Sequence, residues 1–379
     1  MSITIIDTPT SGSTAQDALW HTLASDASGS ADMKFVFDVW VNGTQKIRVK
    51  QFPDPTSGRA FFDAGPVVRN TMKYEWFIPT NAIVQASQPD ASGGVSQTYQ
   101  MRYGEEVSGV TTVNMASGNT TVYNYLPTLL QRRINGVSSR LNKWYTNRSL
   151  VADSGSNENL FIPLYSSGTP VLAIKKYNQS NALIATQNYT SPKSAFVQCN
   201  VGPAAINNQY SGFIDDSVKY YTVDFGTDVL KVNMKCDALY QVFKLHFLNA
   251  WGMIDTARFS KVSRLTFDTQ RKGYGRRDYT TAGGTPSYQS NNVYVESKIN
   301  HAIQIDHSYK LTMDAPTDAE YQWLGELVSS SQVMLEVGGY FYYVTIKATN
   351  YEYSTFLNNR LRPFEIDIEI NQPRKSHLR

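Results

Sequence analysis

Apolar and polar positions alternate with a period of two along most of this chain, the signature of strands with one face buried. In "KFVFDVWVNGTQKIRVKQF" (34–52), Phe35, Phe37, Val39 and Val41 fall on one side, and Val36, Asp38 and Trp40 on the other. Asn42-Gly43 then supplies a two-residue turn, because both residue types accept a positive φ. Ile47 and Val49 continue the alternation on the return strand. "FEIDIEI" (364–370) alternates strictly, with Ile366, Ile368 and Ile370 opposed to Glu365, Asp367 and Glu369. Further strand patterns recur in "QTYQMRYGEEVSG", "VTTVNMASGNTTVYNYL", "LFIPLY", "VLAIKKYN", "ALIATQNY", "AFVQCNVG" and "YYTVDFG". A nearly continuous strand pattern runs through "YQVFKLHFLNAWGMIDTARFSKVSRLTFDTQRK", bent at Trp251-Gly252. "VYVESKINHAIQIDHSYKLTM" reads as another hairpin, and Gly338-Gly339 turns a last one.

Helical periodicity is scarce. "PTDAEYQWLGELVSS" predicts a helix near 317–329, with Thr317 as N-cap and Glu320 completing a capping box. Its apolar face is Tyr321, Leu324, Leu327 and Val328. "PVVRNTM" suggests one helical turn starting at Pro66, and "YNYLPTLLQRRI" a short helix limited by Pro127. The expected class is mainly β, with β-sandwich or barrel-like domains of antiparallel hairpins and a few short helices. At 379 residues the chain exceeds the size of a single core. The polar stretch "LVADSGSNENL" (150–160) marks the expected break. The resulting division is an extended N-terminal arm (1–30), a β-sandwich domain (31–150) and a β-rich C-terminal domain (151–379).

Composition narrows the function classes. Charged residues are only 18%, while aromatics reach 12%, with 24 Tyr and 17 Phe. Such a surface suits protein contacts, where aromatics and Arg are enriched and Lys, Glu and Asp depleted. A net charge of +3 gives no general nucleic-acid footprint. The one basic run, Arg271, Lys272, Arg276 and Arg277 in "RKGYGRR", fits a solvated loop, and no sequence-specific nucleic acid is expected as a partner. No apolar run approaches the ~20 residues of a membrane span, and the first residues lack a secretion signal. Cys199 and Cys236 are too few for a four-ligand zinc site and are expected as free, partly buried thiols. No cofactor is implied.

Candidate chemistry is thin. "LHFLNAWGMIDTARF" (245–259) gathers His246, Trp251 and Asp255, which as an enzyme would be a general base and its orienting carboxylate. No nucleophile motif accompanies them. A strand, a bend permitted by Gly252 and anchored by Trp251, and a second strand account for the same residues. On that reading Trp251→Ala harms folding or assembly, while His246→Ala is mild. His301 and His307 lie about 20 Å apart if extended, too far to share one ion. Glu365, Asp367 and Glu369 have roughly the spacing of a glycosidase pair, but alternate as a solvated sheet face does. Trp20, Trp40, Trp76, Trp144, Trp251 and Trp323 are scattered, as core anchors, subunit contacts or a glycan platform would be.

Three segments carry a family resemblance. They are "FVFDVWVNGTQKIRVKQFPDPTSGRAFFDAGPVVRNTM" (35–72), "FLNAWGMIDTARFSKVSRLTFDTQRKGY" (247–274), and "DAEYQWLGELVSSSQVMLEVGGYFYYVTIKATNYEY" with "LRPFEIDIEI". Together they resemble tail-region virion proteins of tailed phages and prophages of Bacteroidetes. The match spans an N-terminal hairpin with its proline-rich connector, a bend followed by a long strand, and a late helix with a Gly-Gly hairpin and final strand. The chain has Ala250-Trp251-Gly252 where that group favours a Gly-rich bend, and 73–245 has no counterpart. The resemblance implies a structural, non-enzymatic virion component assembled in the host bacterial cytoplasm. It would be a ring or adaptor subunit of tail, baseplate or neck, contacting copies of itself and neighbouring virion proteins. A host-glycan-binding or glycan-cleaving virion protein and a capsid or decoration protein are the alternatives. The candidate interface and structural residues are Trp40, Trp251, Gly252, Trp323, Arg271, Arg276 and Arg277.

Overall fold

The computed structural model describes residues 2–30, 32–72, 82–84, 96–124, 142–166, 168–192, 195–235, 240–275, 279, 284–287, 289–290, 293–294, 298–314, 317–347, 363–371 and 374–376. Strand makes up 55% and helix 8%, and the mainly β class built from antiparallel hairpins holds. Two compact units emerge. One is residues 1–237 with 247–256, the other 238–246 with 257–379.

In the first unit, the predicted 34–52 hairpin is present as Lys34–Val41 paired antiparallel with Thr44–Gln51. Asn42 and Gly43 make its turn at φ 51° and 71°, the left-handed values that a two-residue hairpin turn requires. Ser96–Val107 covers the other edge of Lys34–Val41, which therefore becomes a central strand. Its second face is not open to solvent as the alternation suggested: Val36 and Asp38 are buried along with Phe35, Phe37 and Val39. Arg48 forks onto the buried Asp38, donating from Nε and Nη2 at 2.7 Å each. Such a bidentate pair offsets the desolvation of the carboxylate.

Residues 1–30 are not an extended arm. Ile3–Asp7 pairs with Trp20–Ser25, which pairs with Ala60–Asp63 in a three-stranded sheet. Ile3, Ala15, Leu19 and Leu23 enter the same core as Phe35, Phe37, Tyr99 and Met101. Burying each large apolar side chain contributes about 2 kcal/mol, which holds the segment in place. The helical turn at Pro66 is also found, as Gly65–Arg69.

The expected break at 150–160 lies inside a fold. Val151–Ser154 pairs in parallel with Asp228–Met234 at the edge of a five-stranded sheet, and Leu160 is buried. Polarity misled here, since a short edge strand tolerates polar residues on its open side. A second core forms around Ile162, Leu172, Ile174, Tyr221, Val223 and Leu230. Cys199 belongs to it, free and fully rather than partly buried, and burial pushes its thiol pKa upward. Cys236, Trp76 and the helix expected at 123–134 (from 125 onward) lie outside the described residues. One helix, Pro203–Gln209, was not foreseen; Pro203 at its first turn was the available signal.

The second unit is organised on an eight-stranded sheet. Its order runs Ile254–Phe259, Phe243–Leu248, Val333–Val337, Tyr340–Ile346, Phe364–Ile370, Lys298–Met313 and Arg264–Gly275, with Arg374–Ser376 also on Lys298–Met313. The first two strands are the feet of a hairpin whose far end, residues 247–256, groups with the first unit. Residues 298–313 form one long strand and not a hairpin; its partner is Arg264–Gly275. Helix Asp318–Ser329 has both bonds of the predicted capping box: Glu320 N donates to Thr317 Oγ1, and Thr317 N to Glu320 Oε2. It buries Trp323, Leu324 and Leu327, while Tyr321 and Val328 are half-buried. Trp323 thus joins the face that period alone assigned to Tyr321 and Val328. Gly338 and Gly339 turn the predicted hairpin at φ 58° and 81°.

Candidate functional site

The stretch 245–259 carries the densest chemistry in the sequence, and the structure divides it between two polar clusters. In the first unit, Asn249 organises the bend. Its Oδ1 accepts from the backbone N–H groups of Trp251 and Met253, and its Nδ2 donates to the Tyr145 carbonyl, all at 3.0 Å. Gly252 sits at φ +75°, where L side chains are strained, and a Cβ there would lie 2.2 Å from the Asn124 carbonyl oxygen. Only glycine fits. Trp251 is half-buried, its ring 5.1 Å from that of Tyr145, and its indole N–H donates to Asn147 at 3.0 Å.

The residues after the bend are fixed by side chains acting as substitute strand partners. Gln198 donates to the Ile254 carbonyl at 2.9 Å and accepts from the Ile254 N–H at 3.2 Å. Thr146 donates to Asp255 at 2.5 Å, Arg148 to the Thr256 carbonyl at 2.9 Å, and the Phe161 N–H to Thr256 Oγ1 at 3.1 Å. Asp255 is fully buried in this seam. Buried polar groups of this kind rigidify when satisfied and are costly when one partner is removed.

In the second unit, His246 is fully buried and its Nε2 lies 3.0 Å from Glu336 Oε2. Lys244 donates to the other carboxylate oxygen at 3.1 Å. Burial works to raise the Glu336 pKa, but the bond from His246 and the Lys244 charge outweigh it and hold the carboxyl down at about 2. A carboxylate only accepts, so His246 Nε2 carries the proton. Burial lowers the His246 pKa, against the pull of Glu336. The partners are therefore not those suggested by sequence: His246 bonds Glu336, and Asp255 bonds Thr146. A group with no exposed surface cannot meet a substrate proton in this conformation.

The other candidates are scattered. Trp40 is half-buried beneath the Arg102 guanidinium, 3.7 Å from its ring centre. A groove of about 300 Å³ beside it is lined by Asn42, Thr98, Gln100, Arg102 and Asn119. Trp323 is buried in the helix. Arg271 is exposed on Arg264–Gly275; Arg276 and Arg277 lie outside the described residues. Glu365 and Asp367 face solvent as the alternation predicts, while Glu369 is half-buried; Glu365 pairs with Lys310 at 2.6 Å and Glu369 with Lys347 at 3.2 Å. His307 packs edge-on against Phe267 at 4.8 Å. Among the described residues no group of three or more His, Cys, Asp or Glu is placed to hold a metal ion, and no helix is long and apolar enough to cross a membrane.

Sequence reasoning missed the buried His21. Its two ring nitrogens lie 2.9 Å from Tyr103 OH and 3.1 Å from Tyr99 OH. Burial lowers its pKa to about 4, so the ring is neutral at pH 7. It also missed the open ribbon formed by Arg264–Gly275 on Lys298–Met313. Leu265, Phe267 and Tyr274 are 43%, 56% and 55% exposed there, a density of uncovered apolar surface that marks contact surfaces. Neither a scan against protein-family models nor a search of curated proteins finds a match for this chain.

Proposed function

We propose that this chain is a structural subunit of a tailed-phage particle, a ring or adaptor component of the tail, baseplate or neck. The observation that carries the reading is the open ribbon: a twelve-residue strand ends the sheet with apolar side chains exposed. Open edges and uncovered apolar faces are hazards for a protein that works alone, and assets for one built into an assembly. Low charge, abundant aromatics and the resemblance of the three segments point the same way. The polar cluster around Asn249 and Gln198 serves to fix backbone, which suits a scaffold. The test is native mass spectrometry with negative-stain microscopy of the full chain. A closed homo-oligomer supports the reading; a monomer at every concentration, absent from purified particles, overturns it.

Glycan binding is the second reading, favoured by the groove beside Trp40. An aromatic ring with amide and guanidinium groups is the equipment of a sugar site, although Arg102 covers one face of the ring. A glycan array with the protein and its Trp40→Ala variant decides it: Trp40-dependent binding supports this reading, and no binding removes it.

A further inference from the structure

We infer that two copies of this chain associate through Arg264–Gly275, strand against identical strand, in an antiparallel pairing centred on Thr266. The inference goes beyond the virion reading and stands apart from it.

Arg264–Gly275 is the last strand of its sheet; among the described residues it pairs only with Lys298–Met313. Its outer edge offers a row of backbone donors and acceptors that only another extended segment can pair in register. Lysine and arginine often guard such an edge. Here Arg264 opens the strand and Arg271 and Lys272 come late in it, leaving Leu265, Thr266 and Phe267 without a cationic guard. Leu265 and Phe267 share a face with their partners Tyr309 and His307. That is the side on which Tyr309 and Leu311 stand opposite Ile368 and Ile366 of the core, so the core face runs outward uncovered.

Charge identifies the occupant. Within one copy the register sets like against like at the start of the strand, Arg264 opposite Lys310. Directly opposed like charges destabilise a sheet. An antiparallel self-pairing centred on Thr266 sets Arg264 of each copy opposite Asp268 of the other, twice by symmetry. It also sets Leu265 opposite Phe267, again twice, and Thr266 opposite itself. Shifting the centre to Asp268 would oppose Arg264 with Lys272, which disfavours that register. The edge strand Thr44–Gln51 carries Lys46, Arg48 and Lys50, so it is a poor match for a strand rich in Arg. The contact is isologous, joining surfaces by a two-fold axis and closing on itself.

The test is a charge swap read by sedimentation and native mass spectrometry on the full chain. Arg264→Asp and Asp268→Arg each place like charges in both new cross-copy pairs, and each should weaken self-association roughly tenfold or more. Arg264→Asp also relieves the like-charge pair with Lys310 inside its own sheet, so its loss of association is not a loss of fold; circular dichroism and melting temperature check this for both variants. Mixing the two variants restores both opposite-charge pairs and should recover association as a one-to-one heterodimer. Phe267→Lys should dissociate the pair and resist rescue. Recovery on mixing establishes the contact. Unchanged association of both single variants, or a mixture no tighter than its components, overturns it. A wild-type chain with no two-fold contact overturns it too, whether or not rings form by another surface.

Discussion

At the scale of the residue, Gly252 has the least freedom. Its φ and the approach of the Asn124 carbonyl both exclude a side chain. Gly252→Ala should destabilise the first unit by about 3 kcal/mol or more, visible as a lower urea midpoint. Trp251→Ala removes a half-buried ring and should cost about 2 kcal/mol. The structure revises the expectation that His246→Ala is mild: a fully buried ring bonded to a carboxylate is lost, at about 2 kcal/mol. His21 sets a pH dependence of known sign. The ring titrates near 6.5 when unfolded and at about 4 in the fold, so the unfolded chain takes the proton first as pH falls. Stability drops between these values, by on the order of 3 kcal/mol, then levels off. Glu336 adds a separate loss: its contribution is full above 4.5 and disappears toward about 2. Denaturation curves from pH 7 to 4 should be steeper for the wild type than for His21→Gln; equal slopes would show that His21 is not the responsible group.

At the scale of the element, local signals were read well and long-range ones poorly. Asn42-Gly43, Gly338-Gly339 and the Thr317–Glu320 capping box each fix a local geometry through one or two residues, so the sequence displays them directly. Thr317→Ala should cost about 1 kcal/mol, because the Glu320 N–H loses its Oγ1 acceptor while the residue-317 N–H keeps its bond to Glu320. The burial of Val36 and Asp38 could not be read from alternation, since it depends on Arg48 on one neighbouring strand and on the second neighbour, Ser96–Val107. The same holds for His246. Its partner Glu336 is ninety residues away, whereas Asp255 was merely nearby in sequence. The stretch 293–313 reads as a hairpin; its 295–297 lies outside the described residues, and pairing with neighbouring strands keeps 298–313 extended.

At the scale of the whole molecule, the β class was legible from period and composition, while the boundaries were not. Units are defined by which segments share a core, and the core contacts of Ile3, Leu19 and Leu23 leave no local mark distinguishing a folded strand from an arm. The candidate surface was hidden for the same reason. Leu265 and Phe267 look like any alternating strand until their neighbours fail to cover them. Cys199 gives a check on integrity: it should resist thiol reagents in the native protein and react on unfolding, as read by peptide mapping. The central claim is that the chain is a building block. Native mass spectrometry of the purified full chain across a concentration series tests it most directly. The account predicts a defined closed homo-oligomer; a monomer throughout the series would contradict it.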